Sequence, residues 1–139
     1  MKIVIYSQLK EEPAAGQAHD LCSRFPHASQ WVDSHGEFVK EVRRCFSGET
    51  IIVFFAVSSE DLAFLESMKA ILLDTKLLLN LFTEDRQLIA RAYKLHPRLL
   101  TTRSDPPELL SLALQGIAHE IERCHEKESS GPGSRPAIS

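Results

Sequence analysis

Thr50 to Val57 read TIIVFFAV, a run with no charged side chain and, after Thr50, no polar one. It is too short for a helix, is built from β-branched and aromatic residues, and lacks the alternation that would leave one side to water. It therefore predicts a strand buried on both faces, at the centre of a parallel sheet covered by helices. The same reading applies to Met1 to Tyr6, where KIVIY predicts a first strand. Ala28 to Asp33 (ASQWVD), Lys76 to Phe82 (KLLLNLF) and Arg98 to Thr102 (RLLTT) supply three more.

The segments between these strands repeat apolar residues at helical spacing. Pro13 can open a helix carrying Ala14, Ala15, Ala18, Leu21, Cys22 and Phe25, closed by Pro26. A second starts at Gly36, with Phe38, Val39, Val42, Cys45 and Phe46, and stops at Ser47-Gly48. Ser58 and Asp61 stand at capping-box spacing before a third, with Leu62, Leu65, Met68, Ala70, Ile71 and Leu72. The fourth, Glu84 to Leu95, follows a cap signal at Thr83 and ends at His96-Pro97. In the fifth, Asp105 is the predicted N-cap, Pro106 the first helical residue and Glu108 the third, with the helix continuing to about Lys127. Five strands alternating with five helices predict one α/β domain over 1–127 and a flexible Ser/Gly/Pro-rich tail, 128–139.

The composition agrees with a small domain that needs no staple. The chain has 139 residues, 43% hydrophobic, with 16 basic and 19 acidic side chains, and a chain of this length buries a core without disulfides or metals. No apolar run reaches the length of a membrane span, and MKIVIYSQLKEE lacks the form of a signal peptide, so a cytoplasmic protein is expected. The longest basic cluster is Arg43-Arg44, which argues against nucleic acid as a partner. Cys22, Cys45 and Cys124 are odd in number and widely spaced, as expected of reduced thiols.

In a sheet of this kind ligands bind beyond the carboxyl ends of the strands. Here that edge comprises Ser7-Gln8, Asp33, Ala56 to Ser59, Phe82-Thr83 and Thr102-Arg103. The first turn, SQLKEEPAAG, has no glycine before Gly16, where a phosphate or dinucleotide loop would need one. His19 with Cys22 and Glu120 with Cys124 lie one turn apart, but neither pair has the further ligands that zinc requires, so no metal is expected. Ser58 and Ser59, with His35 nearby, lack a nucleophile elbow, and helix capping accounts for them.

The strand and helix succession, the stretch WVDSHGEFVKEVRR and the stretch LLTTRSDPPELLSLALQGI resemble the receiver domain of bacterial two-component response regulators over residues 1 to about 125. The resemblance implies a flavodoxin-like three-layer sandwich with strand order 2-1-3-4-5. Receivers end strand five with a Lys-Pro pair, followed by a helix opening with Asp or another residue and then Pro-x-Glu-Leu-Leu. This chain has Thr102-Arg103 and then Asp105-Pro106-Pro107-Glu108-Leu109-Leu110. The family transfers a phosphoryl group to an aspartate at the end of strand three. Two acidic residues after strand one hold Mg²⁺, and a lysine after strand five neutralises the developing charge.

Carried over by position, the nucleophile falls on Ala56, with Phe55 one residue away, and the acidic pair falls on Ser7 and Gln8. Glu11 and Glu12 come three to four residues late. The lysine position is Thr102; the Thr or Ser that receivers keep after strand four falls on Phe82, with Thr83 adjacent, and the aromatic in strand five that reports the phosphate to the outer face falls on Leu99. The resemblance thus implies a pseudo-receiver: a bacterial, phosphorylation-independent signalling or adaptor module, not an enzyme, with no cofactor. Its partner would be a kinase, an effector or a second copy. Receivers dock partners through the fourth helix, fifth strand and fifth helix, which points to Arg86, Arg91, Tyr93, Leu109 and Leu112. The alternative is a small-molecule sensor or enzyme using Asp33, Ser58, Thr83 and Thr102 at the strand edge.

Overall fold

The computed structural model describes residues 1–8, 14–44, 50–81 and 83–129. Among these residues there are five strands, β1 (Lys2–Tyr6), β2 (Ser29–Val32), β3 (Thr50–Ala56), β4 (Lys76–Leu81) and β5 (Leu99–Thr102). They form one parallel sheet in the order β2-β1-β3-β4-β5, as expected. The helices are α1 (Ala14–Arg24), α2 (His35–Arg43), α3 (Ser59–Ser67), α4 (Lys69–Leu72), α5 (Arg86–Tyr93) and α6 (Glu108–Ser129).

β3 has the central place its composition demands, and every one of its residues is buried. Side chains alternate across a strand, so Ile52, Phe54 and Ala56 enter one apolar layer while Ile51, Val53 and Phe55 enter the other. The first layer is closed by Phe38 and Val42 of α2, Leu62 and Leu65 of α3 and Ala92 of α5. Ala18 and Leu21 of α1, with Leu110, Leu114 and Ile117 of α6, close the second. The strand needs no polar side because helices cover both faces. Asn80 in β4 is a polar exception: its Nδ2 donates to Thr101 Oγ1 at 2.7 Å, and its buried Oδ1 has no hydrogen-bond partner.

Three helix boundaries differ from the sequence reading. The third predicted helix is two, because Met68 leaves helical backbone (φ −102°, ψ 11°) and its N–H bonds back only three residues, to Leu65. The fourth and fifth predicted helices are therefore α5 and α6. α5 is capped by Asp85, whose Oδ1 accepts from the N–H groups of Gln87 and Leu88, whereas Thr83 Oγ1 accepts from Asp85 N–H one step earlier. Asp105 does not cap α6. Its Oδ2 accepts from Thr102 N–H at 2.8 Å, which ties off the turn after β5, and the helix begins at Glu108. α5 is left through His96 in the left-handed region (φ 54°), just before Pro97. Pro13, the Ser47-Gly48 stop and the tail from residue 130 lie outside the described residues.

Candidate functional site

The carboxyl edge of the sheet shows what occupies the positions where a receiver keeps its carboxylates. Ser7 is buried and held by backbone: its N–H donates to Val32 O at 3.1 Å, and its carbonyl accepts Trp31 Nε1–H at 3.0 Å. The Gln8 amide reaches Tyr6 Oη at 3.5 Å. Ala56 is 3% exposed and belongs to the apolar layer beneath α2 and α3. Leu99 packs into the opposite layer. Phe82, Glu11 and Glu12 lie outside the described residues.

The edge hydroxyls are engaged in turns and caps. Ser58 Oγ accepts Asp61 N–H at 3.2 Å, and Thr83 Oγ1 accepts Asp85 N–H at 3.0 Å. Thr102 Oγ1 lies 3.3 Å from Asp105 Oδ2 and 3.4 Å from Glu84 Oε1, which also accepts Ser104 Oγ–H at 2.6 Å. Asp33 is close enough to Tyr6 to raise its pKa, while among the described residues the hydrogen bonds of Ser58, Thr83 and Thr102 go to other partners. The edge therefore divides its polar groups among separate loops. Among the described residues no three histidine, cysteine, aspartate or glutamate side chains converge as metal ligands.

What does converge is Tyr6, His35 and Asp61. Asp61 is 1% exposed, and a buried carboxylate needs donors for its lone pairs. It receives three, from three elements. Val57 N–H, just past β3, donates to Oδ2 at 3.0 Å. His35 Nε2, in the first turn of α2, donates to Oδ1 at 2.9 Å, and Tyr6 Oη of β1 donates to the same oxygen at 3.3 Å. The His35 ring stacks on Phe64 with 4.0 Å between centroids and 5° between planes, and Tyr6 stacks on Phe54 at 4.3 Å. Burial pushes the Tyr6 phenol up to about 12; the Gln8 hydrogen bond opposes this and the charges of Asp61 and Asp33 add to it. Deprotonating Tyr6 would place a second anion against Asp61, so the phenol stays a donor.

Sequence reading assigned Asp61 to a capping box. Half of that holds, since Ser58 accepts from Asp61 N–H, but the carboxylate returns its bond to Val57 N–H and turns inward to Tyr6 and His35. The usable signal was positional: a histidine and an aspartate each open a helix at the same sheet edge.

The residues expected on the docking face are spread over two sides of the molecule. Tyr93 on α5 is 60% exposed, Leu109 on α6 is 39% exposed, and Arg86 is exposed. Arg91 points back to α3, where its Nε and Nη2 grip the two carboxylate oxygens of Glu66 at 3.1 and 2.6 Å. That hydrogen-bonded pairing lowers the Glu66 pKa below, and raises the Arg91 pKa above, their ordinary values. Leu112, 64% exposed, lines a groove against Asp20 and Arg24 of α1, away from α5.

No family model and no curated protein matches the sequence. Solved structures do match in shape. A response regulator from Thermotoga maritima superposes with a TM-score of 0.62 at 14% identity, covering 86% of this chain and 98% of that one. A pilus assembly-related protein from Burkholderia pseudomallei gives a TM-score of 0.58 at 19% identity, covering 86% of this chain and 90% of that one. Likeness at this identity is likeness of fold. With its strand order and its helices on both faces, the chain has the flavodoxin-like fold of receiver domains.

Proposed function

We propose that the chain is a receiver-like signalling or adaptor module that works by protein contact and without an aspartyl phosphate. The observation that carries this is Ala56: the residue ending β3 is a methyl group sealed in the apolar layer. Such a group offers no nucleophile to a phosphoryl donor. Ser7 supports the same reading, because its backbone is fully used and its hydroxyl is buried. The module is not an enzyme and binds no Mg²⁺ at this edge. Its partner is a protein, whether a kinase, an effector or a second copy, met on the face made by α5, β5 and α6, where Tyr93 and Leu109 offer exposed apolar surface.

The test is incubation with acetyl phosphate and Mg²⁺, followed by intact-mass measurement and Mg²⁺ titration of the fluorescence of Trp31. That tryptophan reports on the edge because its indole N–H is bonded to Ser7 O. No phosphate adduct and no Mg²⁺-dependent emission change are expected. A phosphate adduct on an aspartate, cleaved by hydroxylamine as an acyl phosphate is, would overturn the proposal. The contact face is tested by recovering partners from the native host with wild-type chain, Leu109→Asp and Tyr93→Ala. Loss of the same partner in both variants is expected, and undiminished recovery removes the face.

A further inference from the structure

Two connections run side by side at the amino-terminal edge of the sheet. α4 leads into β4 through Leu73, Asp74 and Thr75, and α5 leads into the neighbouring β5 through Lys94 and the turn before Arg98. Arg98 N–H donates to Leu77 O at 2.7 Å, which sets the two strand entries next to each other. The Arg91–Glu66 pair at 2.6 Å ties the last turn of α5 to the last turn of α3, three residues before α4 begins.

This edge combines positive charge with apolar side chains that have no cover. Residues 68–76 and 93–98 carry Lys69, Lys76, Lys94 and Arg98 against one acid, Asp74, in a chain whose net charge is −3. Among the described residues Lys69, Lys94 and Arg98 are exposed and form no ion pair. The Glu66 pKa is lowered first by its hydrogen bonds to Arg91 and also by the charge of Lys94, which places that ammonium nearby. Compensation of a helix dipole accounts for Lys94 at the end of α5, but not for Lys69, which opens α4, nor for Arg98, which precedes a strand. Leu73, 66% exposed, is the large apolar side chain most open to water among the described residues, and it follows Lys69 by four residues. Ile71 and Tyr93 are exposed on the same two connections.

Lysine is depleted where proteins meet proteins. Lysine and arginine interleaved with single protruding apolar side chains match a bilayer surface, where cations meet lipid phosphates and apolar tips enter the boundary between headgroups and acyl chains. We infer that the amino-terminal edge around α4 and the end of α5 is a peripheral docking surface for an anionic phospholipid bilayer. Leu73 and Ile71 supply the apolar tips, and Lys69, Lys94 and Arg98 the headgroup contacts. The inference goes beyond the signalling reading and does not depend on it. Leu109, at the start of α6, and the Asp61–His35 network lie at the opposite edge of the sheet and stay clear of the lipid.

The experiment is co-sedimentation of the full chain with vesicles of phosphatidylcholine alone and of phosphatidylcholine with one-third phosphatidylglycerol, at low and at high salt. Binding to the anionic vesicles alone, weakened by salt, is expected. Lys94→Gln should weaken it about fivefold, the effect of one basic residue near an anionic surface, and Leu73→Ser about tenfold. Leu112→Ser, on the equally exposed leucine of α6, should leave it unchanged. Urea midpoints report whether each variant is folded. No binding at millimolar anionic lipid, equal binding to phosphatidylcholine, or affinity unchanged in Lys94→Gln and Leu73→Ser overturns the proposal. Soluble polyglutamate replaces the vesicles in a further arm. Binding to it as tight as to vesicles and equally weakened by Leu73→Ser identifies an acidic protein site and also overturns the proposal. Partner recovery with Leu109→Asp is unaffected by either result, so the two readings fail separately.

Discussion

Replacing Asp61 by alanine leaves Val57 N–H, Tyr6 Oη and His35 Nε2 without their common acceptor in a buried place. Stability should fall by about 3–5 kcal/mol, the scale for removing one partner of a buried charged network, as read by urea unfolding. Tyr6→Phe removes one donor and keeps the ring stacked on Phe54, so a loss of about 1 kcal/mol is expected by the same measurement. The raised Tyr6 pKa has a definite sign. The native state holds the phenolic proton more tightly than the unfolded chain, so the associated stability is complete below the ordinary tyrosine value near 10 and is lost as pH rises through about 12. Urea midpoints of the wild-type chain should drop across that window more steeply than those of Tyr6→Phe. Cys22 has the same direction: burial raises its thiol pKa, so alkylation at mildly alkaline pH should be slower in the folded chain than in urea. Neither Tyr6 nor Asp61 was legible as part of a site, because Tyr6 stands inside an apolar run and Asp61 at a helix start. Each has an ordinary local explanation.

Helix boundaries show how local chemistry is divided among competing uses. Ser58 was read as a cap and is one, and Ser58→Ala should cost about 1 kcal/mol in urea unfolding. Thr83 and Asp105 looked equally suited, yet each serves a turn instead. For Asp105 the winning partner is Thr102 N–H, and holding it fixes the exit of β5 before α6 begins. The split between α3 and α4 escaped the pattern because Leu62, Leu65, Met68 and Leu72 keep a helical period straight through it. The pairing of α3 with α5 through Glu66 and Arg91 is an exposed ion pair. Its effect on unfolding should shrink as salt is added, which a comparison of wild type and Glu66→Gln at low and high ionic strength will show.

At the scale of the molecule, the two apolar layers depend on β3 and β4 being covered on both faces. Leu79→Ala, in the layer beneath α2 and α3, should cost about 2–5 kcal/mol and broaden the unfolding transition little, since the sheet is shared by both layers. The same two-layer packing separates the edge network on one side from the α1–α6 groove on the other. Leu112 illustrates the consequence: the receiver resemblance put it on the docking face with Leu109, but α6 lies so that it borders α1.

The period of apolar residues, read along the chain, was enough to determine the five strands, the order of the elements and the absence of a carboxylate at the end of β3, because these depend on which residue types follow one another. Tertiary structure alone decided that Asp61 joins β1, α2 and β3, that Arg91 turns to Glu66, and that Gln17 ends without a partner in a groove. Those are meetings between side chains far apart in the chain. A buried polar group takes whichever partner the packing of the two layers brings within reach, and local spacing carries no record of that choice.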